Sequence, residues 1–447
     1  MACHQAHNIP WATVAGHFRY VHAPRRYDER TNIYPRFLDG QGKTIHYFIN
    51  AIARNIASHA DLEEPKTPSI EPLDPDTTLL TPDVVARLAP SLRHASKELA
   101  GWWDDFSEDD NTKPSIPPKY TKTSAFLRMI GPEGGGTRSG SWAGHGAFYS
   151  LELFKLLILR GEMPVLRAIC THPSAAWAEV WQQPYNAFGD QQCCGWEYVP
   201  KLALKAYLGL NLLLSFPSLW DEASGRSSES DYRNTKCYQR LLRECTMSRL
   251  TNNIAALPHR QFFGVPNGHF EQYMGPGAGG RYSHLLTTYH RDGFPYGAIP
   301  IDDFLQISGP IPHMPTVNDV LHVRWCLCYL GLPTEIAIEV MDYAGYTPSG
   351  RLSTPNDPLH PENAEELHRY FDYCWNILVR CEVMGRWFGA PIPWERVVAK
   401  TMTELLGHGS NGPARHGKLF FKREFDYNYD QERPDDVYGE REIFTFL

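Results

Sequence analysis

The feature that most constrains the fold of this 447-residue chain is a long apolar run from Leu202 to Leu219. Lys205, Asn211 and Pro217 interrupt the run, so it lacks the unbroken stretch of about 20 apolar residues that a membrane-spanning helix requires. The run is also longer than an ordinary strand, which favours a helix. The sequence therefore predicts a helix that is buried inside a soluble protein.

Helical periodicity recurs along the chain, whereas alternating strand patterns are few and no internal repeat is visible. Proline-rich stretches at 61–82 and 110–123 predict loops. The tail from Lys418 to Leu447 alternates aromatic and charged residues, which predicts a strand pair or an ordered arm. Further helices are predicted over residues 45–57, 82–88, 91–106, 147–159 and 231–257, and in four segments between residues 317 and 406.

These patterns predict a mainly α fold with irregular loops, with an α+β fold as the alternative. We place a larger catalytic region at residues 1–315 and a helical C-terminal subdomain at residues 316–412. A C-terminal arm would then occupy residues 413–447.

Composition argues against several classes of protein. The net charge of -8 and the pI near 6.2 disfavour a general polyanion binder, but they permit a local basic groove for one nucleic-acid substrate. Ten cysteines are too sparse for a disulfide scaffold. The first residues do not show the charged and then apolar pattern of a signal peptide. We therefore expect a reduced, cytoplasmic protein that does not enter a membrane.

An acidic cluster at Asp104-Asp105-x-x-Glu108 follows Trp102 and Trp103. On a helix, Asp104 and Glu108 would share one face and repel each other unless a cation or a shared proton lay between them. The neighbouring tryptophans would lower the local dielectric constant and strengthen any such interaction. The alternative is a solvated helix end, because two further aspartates follow at once.

A glycine-rich segment at 134–136 precedes a predicted helix and contains Ser139 and Ser141 shortly afterwards. Backbone N–H groups in such a position can bind a phosphate or an oxyanion. Neither the dinucleotide-binding nor the P-loop pattern is present, so support for nucleotide binding is weak. Ser139 or Ser141 could accept an acyl group, and the alternative is a flexible surface loop.

A near copy of the acidic pattern occurs at Asp302-Asp303, where Gln306 stands in place of the glutamate. The preceding segment, from Tyr289 onward, mixes histidine, arginine, carboxylates and tyrosines with little periodicity. Irregular polar segments of this kind often form sites on a rigid scaffold. The alternative is that Asp302 and Asp303 provide turn and helix N-cap chemistry.

The cysteines show no zinc-ligand spacing. Cys326, Cys374 and Cys381 lie among apolar helical residues, which predicts thiols in the core. Cys193 and Cys194 are adjacent, and a catalytic role for one of them is an open alternative.

The segment from Leu332 to Met341 resembles the opening of an F-box. Thr334 and Glu335 would begin a helix whose apolar residues pack inward. An F-box needs two more helices to bind its adaptor, whereas a proline-rich loop, 355–361, follows here. The interpretations are therefore a plain helical subdomain or a noncatalytic adaptor.

Together with the acidic cluster, four C-terminal motifs make the chain similar to the fungal arginine-containing cyclodipeptide synthases. The motifs are Leu332-Pro333-x-Glu335-Ile336, Asp357-Pro358-Leu359-His360-Pro361-x-Asn363, Tyr373-Cys374-Trp375 and Val379-Arg380-Cys381. That family is described as having a D-D-x-x-E motif, which Asp104, Asp105 and Glu108 match here.

The resemblance implies that arginyl-tRNA and a second aminoacyl-tRNA are the substrates and partners, and we predict no stable protein partner. The amine of one residue would attack the ester of the other, and the dipeptidyl ester would then cyclise to a diketopiperazine. No cofactor or metal is implied, because the esters are already activated. The enzyme would position the esters, accept protons and stabilise oxyanions.

On this interpretation Glu108 is the base, and Asp104 and Asp105 hold the substrate amine or the arginine guanidinium. Ser139 and Ser141 are the candidates for an acyl-enzyme. The remaining candidates for substrate binding are Trp103, Asp302 and Asp303. The tRNA acceptor ends would need a basic surface, for which Arg25-Arg26 and Arg240 with Arg243 are candidates.

A class I terpene cyclase is the rival enzyme, because its carboxylates hold Mg²⁺ on a pyrophosphate. Such an enzyme should also carry a second metal-binding triad downstream. Asn318-Asp319 begins a triad of this kind, but His322 and Trp325 break it.

Overall fold

The computed structural model of the chain describes residues 9–23, 30–36, 38–98, 116–127, 145–175, 196–247, 253–270, 295–346, 348–406, 421–424 and 443–446. The described fold is mainly helical, as the sequence predicts. The N-terminal half contains helices α1 (Trp11–Ala15), α2 (Gln41–Glu63), α3 (Pro82–Glu98), α4 (Pro118–Thr121), α5 (Thr123–Leu127), α6 (His145–Arg160), α7 (Met163–Cys170) and α8 (Tyr198–Leu214). It is followed by α9 (Lys236–Thr246), α10 (Asn253–Phe263), α11 (Ile301–Leu305), α12 (Val317–Tyr329), α13 (Thr334–Tyr343), α14 (Ala364–Trp387) and α15 (Trp394–Leu406).

Helix α8 lies at the centre of the fold and confirms the buried helix predicted from the apolar run. Its residues from Val199 to Leu213 are buried on nearly every side. It packs against α14, α9, α15 and α10. The close approach of α9 depends on Gly209, since a Cβ atom there would collide with the side chain of Leu241. None of the described helices combines the length and the apolar character needed to cross a bilayer.

The long helices α2 and α14 pack against each other, and α15 also packs against α2. Helix α2 extends well beyond the predicted range of 45–57 at both ends. Its apolar residues, such as Ile45, Ile52 and Ile56, recur on one face and are buried in the core. Leu406, at the end of α15, belongs to the same hydrophobic core as Ile9. The proposed boundaries at residues 316 and 413 remain predictions.

The predicted break between residues 88 and 91 is wrong, because α3 continues through Pro90. Proline removes one backbone hydrogen bond from a helix interior. Here Leu88 and Leu92, on either side of Pro90, are fully buried, and α3 packs against α6 and α10. Tertiary packing therefore outweighs the local preference for a break.

The single helix predicted over 231–257 is also wrong. The described chain instead forms a short 3-10 helix, Tyr232–Asn234, followed by α9 and α10. Asp231 caps the 3-10 helix by accepting from Arg233 N, and Thr235 caps α9 by accepting from Tyr238 N. These local side-chain bonds to the backbone favour new helix starts over one continuous helix.

Strands are few. Strands β1 (Phe18–Val21) and β2 (Asn32–Pro35) form one antiparallel pair. Strands β3 (Phe421–Glu424) and β4 (Ile443–Phe446) form another, which confirms the strand pair predicted for the tail.

The four predicted C-terminal helices are confirmed as α12 to α15, but the orientation predicted for α13 is wrong. Only Ala337 and Met341 of that helix are buried. Ile336, Ile338 and Val340 are exposed instead of packing inward. The reason is that α13 packs mainly against α12, so only one narrow face of it is covered.

The cysteine predictions are partly confirmed. Cys374 and Cys381 are buried in α14, as expected of core thiols. Cys326 is only half-buried, and its Sγ atom lies 3.6 Å from His322 Nε2 at the surface of α12.

Candidate functional site

Most of the residues predicted for the site lie outside the described part of the chain. This applies to Trp103, Asp104, Asp105, Glu108, Ser139 and Ser141, and also to Arg25, Arg26, Cys193 and Cys194. Among the predicted substrate-binding residues, the structure describes Asp302 and Asp303. The site is therefore built from these two residues outward.

Asp302 and Asp303 lie in the first turn of the short helix α11. Asp302 is exposed and Asp303 is half-buried. The N-cap residue of this helix is Pro300, which makes no side-chain cap bond. The two carboxylates are thus not N-caps, although negative charge in a first turn suits the helix dipole.

Three hydrogen bonds attach the chain around α11 to the helix α9 region. Asn234 Oδ1 accepts from Ile301 N at 2.8 Å, and Gln239 Nε2 donates to Ile299 O at 2.8 Å. Gln239 Oε1 also accepts from Gly297 N at 2.7 Å. These bonds hold the segment that contains the two aspartates against the beginning of α9.

Beside this region, Lys201, Lys205, Arg240, Glu244 and Glu404 form a charged cluster on α8, α9 and α15. The ammonium of Lys205 contacts Glu244 Oε2 and lies 2.6 Å from Glu404 Oε2. Arg240 Nε donates to Glu244 Oε1 at 2.6 Å, and Arg240 Nη1 donates to the Glu404 carbonyl at 2.9 Å. Two carboxylates thus converge on one ammonium.

The cluster is partly open to solvent. The side chain of Lys205 is only 1% exposed, whereas those of Glu244 and Glu404 are each 22% exposed. Lys201 is half-buried, and its ammonium lies 5.5 Å from the centre of the Tyr198 ring. Lys205 therefore anchors the inside of the cluster, and the other four side chains form its outer part.

Burial and Coulomb interactions act in opposite directions on the pKa values of Glu244 and Lys205. Burial alone would raise the pKa of Glu244, but the charges of Lys205 and Arg240 lower it to about 2. Burial alone would lower the pKa of Lys205, but attraction to Glu244 and Glu404 raises it. For Lys201, burial and the nearby positive charge of Lys205 both lower the pKa.

Tyr296 joins the charged cluster to the α11 region. Its hydroxyl accepts from Arg243 Nη1 at 2.9 Å, and its carbonyl accepts from Arg30 Nη1 at 2.8 Å. Arg240 and Arg243, predicted as a basic surface, are thus both engaged in bonds within the protein. Arg240 lies inside the charged cluster and not on an open surface, with 18% of its side chain exposed.

A second polar set lies in the interior between α6, α10 and α14. Glu152 and Lys155 form an ion pair with fully buried side chains. The backbone N–H of Ile254 also bonds to Glu152, whose pKa burial raises. His259 Nδ1 lies 2.5 Å from the Tyr370 hydroxyl, and burial with the charge of Arg260 lowers the pKa of His259 to about 3. This set is closed to solvent, as expected of a structural core.

Sequence reasoning missed both polar sets. Glu152 and Lys155 are three residues apart on one helix, a spacing that usually indicates an exposed ion pair. The sequence did indicate that Lys205 is unusual, because it interrupts an otherwise apolar run. Its partners at positions 244 and 404 are too distant in sequence for any local pattern to identify them.

The C-terminal motifs behind the family resemblance have structural roles. Asp357 accepts from Arg226 Nη1 and from the Tyr232 hydroxyl, each at 2.7 Å. Asn363 bonds to the backbone of Thr354 and of Asp357. Arg380 Nη1 donates to the Ile158 and Leu159 carbonyls near the end of α6. These motif residues therefore stabilise the fold.

Within the described ranges, no group of three or more His, Cys, Asp or Glu side chains is placed to hold a metal ion. Asp319, which begins the incomplete second triad, is part of a capping box. Its carboxylate accepts from Thr316 N at 2.7 Å, and Thr316 Oγ1 accepts from Asp319 N at 3.3 Å. The position of Asp319 is thus explained by helix capping.

A family model described as "Gramillins biosynthetic cluster protein GRA5" matches residues 12–416. No curated protein matches the chain, and neither does any solved structure.

Proposed function

The chain belongs to the family of gramillins biosynthetic cluster protein GRA5, and on this premise we propose that it is an arginine-containing cyclodipeptide synthase of secondary metabolism. The family description supports the wider assignment to a biosynthetic cluster. The resemblance carried by the acidic cluster and the C-terminal motifs supports the specific reaction.

In this reaction the α-amine of one aminoacyl-tRNA attacks the ester carbonyl of the other. An amide bond forms, the ester bond breaks, and the tRNA hydroxyl leaves with a proton. The free amine of the dipeptidyl ester then attacks its own ester carbonyl, which closes the diketopiperazine and releases the second tRNA. Each nucleophile begins as an ammonium, so each step requires a group that accepts a proton.

The observation that carries the proposal is the local charge of the charged cluster. Lys205 and Arg240 are paired with Glu244 and Glu404, so Lys201 supplies an excess positive charge, although the chain as a whole has a net charge of -8. Lys400 adds positive charge, since it contributes to lowering the pKa of Lys201. A local positive excess of this kind suits the phosphates of a tRNA acceptor end.

The acidic side chains would then bind the aminoacyl groups and accept their protons. A carboxylate pair binds a guanidinium in a planar, bidentate manner, which is the role proposed for Asp104 and Asp105. Glu108 would accept the proton from the attacking ammonium. Asp302, exposed on α11, is a second place for a cationic group to bind.

The test is production of a cyclic dipeptide. The chain is expressed in a heterologous host fed with isotopically labelled arginine, and extracts are analysed by mass spectrometry. We expect a labelled cyclo(Arg-Xaa) product, whose mass identifies the second amino acid. A cell-free repeat with purified protein should lose the product after ribonuclease treatment. Folded protein that gives no arginine-derived product would overturn the proposal.

A further inference from the structure

We propose that the α12–α13 hairpin is a docking surface for another protein, one that presents an amphipathic helix with an apolar face edged by lysine and arginine side chains. The outer surface of the hairpin, called here the hairpin face, consists of Leu321, Trp325 and Tyr329 on α12 and of Ile336, Val340 and Tyr343, which share one side of α13. This inference goes beyond the proposed reaction and does not depend on it.

The hairpin face is apolar but uncovered. Trp325 is 60% exposed, Tyr329 is 78% exposed and Tyr343 is 97% exposed. No residue of α12 is buried. Scattered exposed apolar residues are ordinary on protein surfaces, but several large ones on two helices that pack together indicate an interaction site.

The exposed residues of α12 are ordered along the helix. Leu321, Trp325 and Tyr329 follow one another at intervals of four, so they form one stripe. The rings of Trp325 and Tyr329 stack, with centroids 5.4 Å apart and planes 20° apart. Tryptophan and tyrosine side chains have few rotatable bonds, so they lose little conformational entropy when a partner covers them.

The hairpin itself is well formed. Thr316 and Asp319 make the capping box that begins α12, and Gly331 takes a positive φ of 98° in the connection between the helices. Ala337 and Met341 are buried on the inner side. The exposed face is therefore part of a specific local structure that leaves its apolar side outward.

The charges of the hairpin decide between two kinds of occupant. Glu335, Glu339 and Asp342 are exposed on α13, and Asp319 lies on α12, whereas Arg324 is the one lysine or arginine on these two helices. Two copies of the chain packed hairpin to hairpin would bring these carboxylates together, which is unfavourable. A partner with a basic rim would instead pair with them.

The experiment uses two labelled amphipathic helical peptides with the same leucine face. One carries lysine on its polar face and the other carries glutamate, and fluorescence anisotropy measures their binding to the full chain. We expect the lysine peptide to bind at least tenfold more tightly. The double variant Trp325→Ala/Tyr329→Ala should bind the lysine peptide at least tenfold more weakly than the wild type does. The exposed residue Tyr47, on α2, gives the matched control Tyr47→Ala, which should bind normally.

Charge reversal separates docking from general attraction to an acidic protein. Glu339→Lys/Asp342→Lys should weaken binding of the lysine peptide and strengthen binding of the glutamate peptide. The same net change at two exposed positions elsewhere, Glu71→Lys/Glu222→Lys, should change both affinities little. Circular dichroism and thermal melting should be unchanged in every variant, because the substituted side chains are exposed.

Three results would overturn the proposal. The first is equal binding of the two peptides, and the second is an equal loss of affinity in the Tyr47 control. The third is a wild-type dimer in sedimentation velocity that Trp325→Ala/Tyr329→Ala converts to a monomer. That result would assign the hairpin face to a second copy of the chain.

Discussion

The hydroxyl of Tyr232 donates a 2.7 Å hydrogen bond to Asp357 Oδ1, which joins two segments 125 residues apart in the chain. The other oxygen of Asp357 accepts from Arg226 at 2.7 Å. Leu359 N donates to the same Tyr232 hydroxyl at 3.1 Å. The loop that contains Asp357 is thus held to the chain before α9 by a buried network, and this network explains a motif that sequence comparison alone associates with function.

This network predicts a large difference between two substitutions. Tyr232→Phe removes one hydroxyl and should lower the free energy of unfolding by about 1–3 kcal/mol, because Asp357 keeps its bond to Arg226. Asp357→Ala should cost roughly 3–5 kcal/mol, because it leaves Arg226 buried with one carboxylate fewer. Urea unfolding at pH 7 measures both values. Equal losses would contradict the assignment of Arg226 to this carboxylate.

The depressed pKa of Glu244 predicts a pH-dependent stability. Its folded-state pKa of about 2 lies below the ordinary value of 4.5, so the contribution is complete above pH 4.5 and is lost as the pH falls toward 2. The difference corresponds to about 3 kcal/mol at neutral pH. Urea unfolding of the wild type and of Glu244→Gln should differ by that order at pH 7. The two should converge as the pH falls below 4.5.

The control for this titration is Glu222→Gln, which alters an exposed glutamate. It should unfold like the wild type across the same pH range. If Glu244→Gln keeps its full deficit at low pH, the loss is one of packing and does not come from the charge.

Lys201 is predicted to contact the phosphates of the tRNA acceptor end. Lys201→Met should weaken aminoacyl-tRNA binding and should lower the slope of log K against log salt concentration by about 0.7–0.9, the value for one lost phosphate contact. Filter binding at several salt concentrations measures the slope. Lys43→Met changes an exposed lysine on α2 and should leave the slope unaltered. An unaltered slope for Lys201→Met would remove the charged cluster from the proposed tRNA site.

Glu108 is predicted to be the base of the peptide-forming step. Glu108→Gln should reduce the yield of cyclic dipeptide by about 10²–10⁴-fold, the usual contribution of general acid–base catalysis, while the protein stays folded. Asp110→Asn alters a carboxylate just outside the motif and is the matched control. Product yield is measured by mass spectrometry at equal amounts of soluble protein. Wild-type yield from Glu108→Gln would disprove the role of this residue.

Local patterns in the sequence determined the mainly helical fold, the buried helix α8, the four C-terminal helices and the strand pair of the tail. These features depend on hydrophobic periodicity, which any helix or strand shows along its own length. The core thiols Cys374 and Cys381 followed from the same patterns.

Only the tertiary structure decided which surfaces these elements cover. Packing on α6 and α10 carries α3 through Pro90, although proline by itself favours a break. The exposed side of α13 depends on how little of the molecule packs against it. The charged cluster needs Lys205, Glu244 and Glu404 from three helices, and the last of them is 199 residues from the first. Sequence determines local conformation through short-range periodicity, whereas burial and ion pairing depend on which distant segments meet.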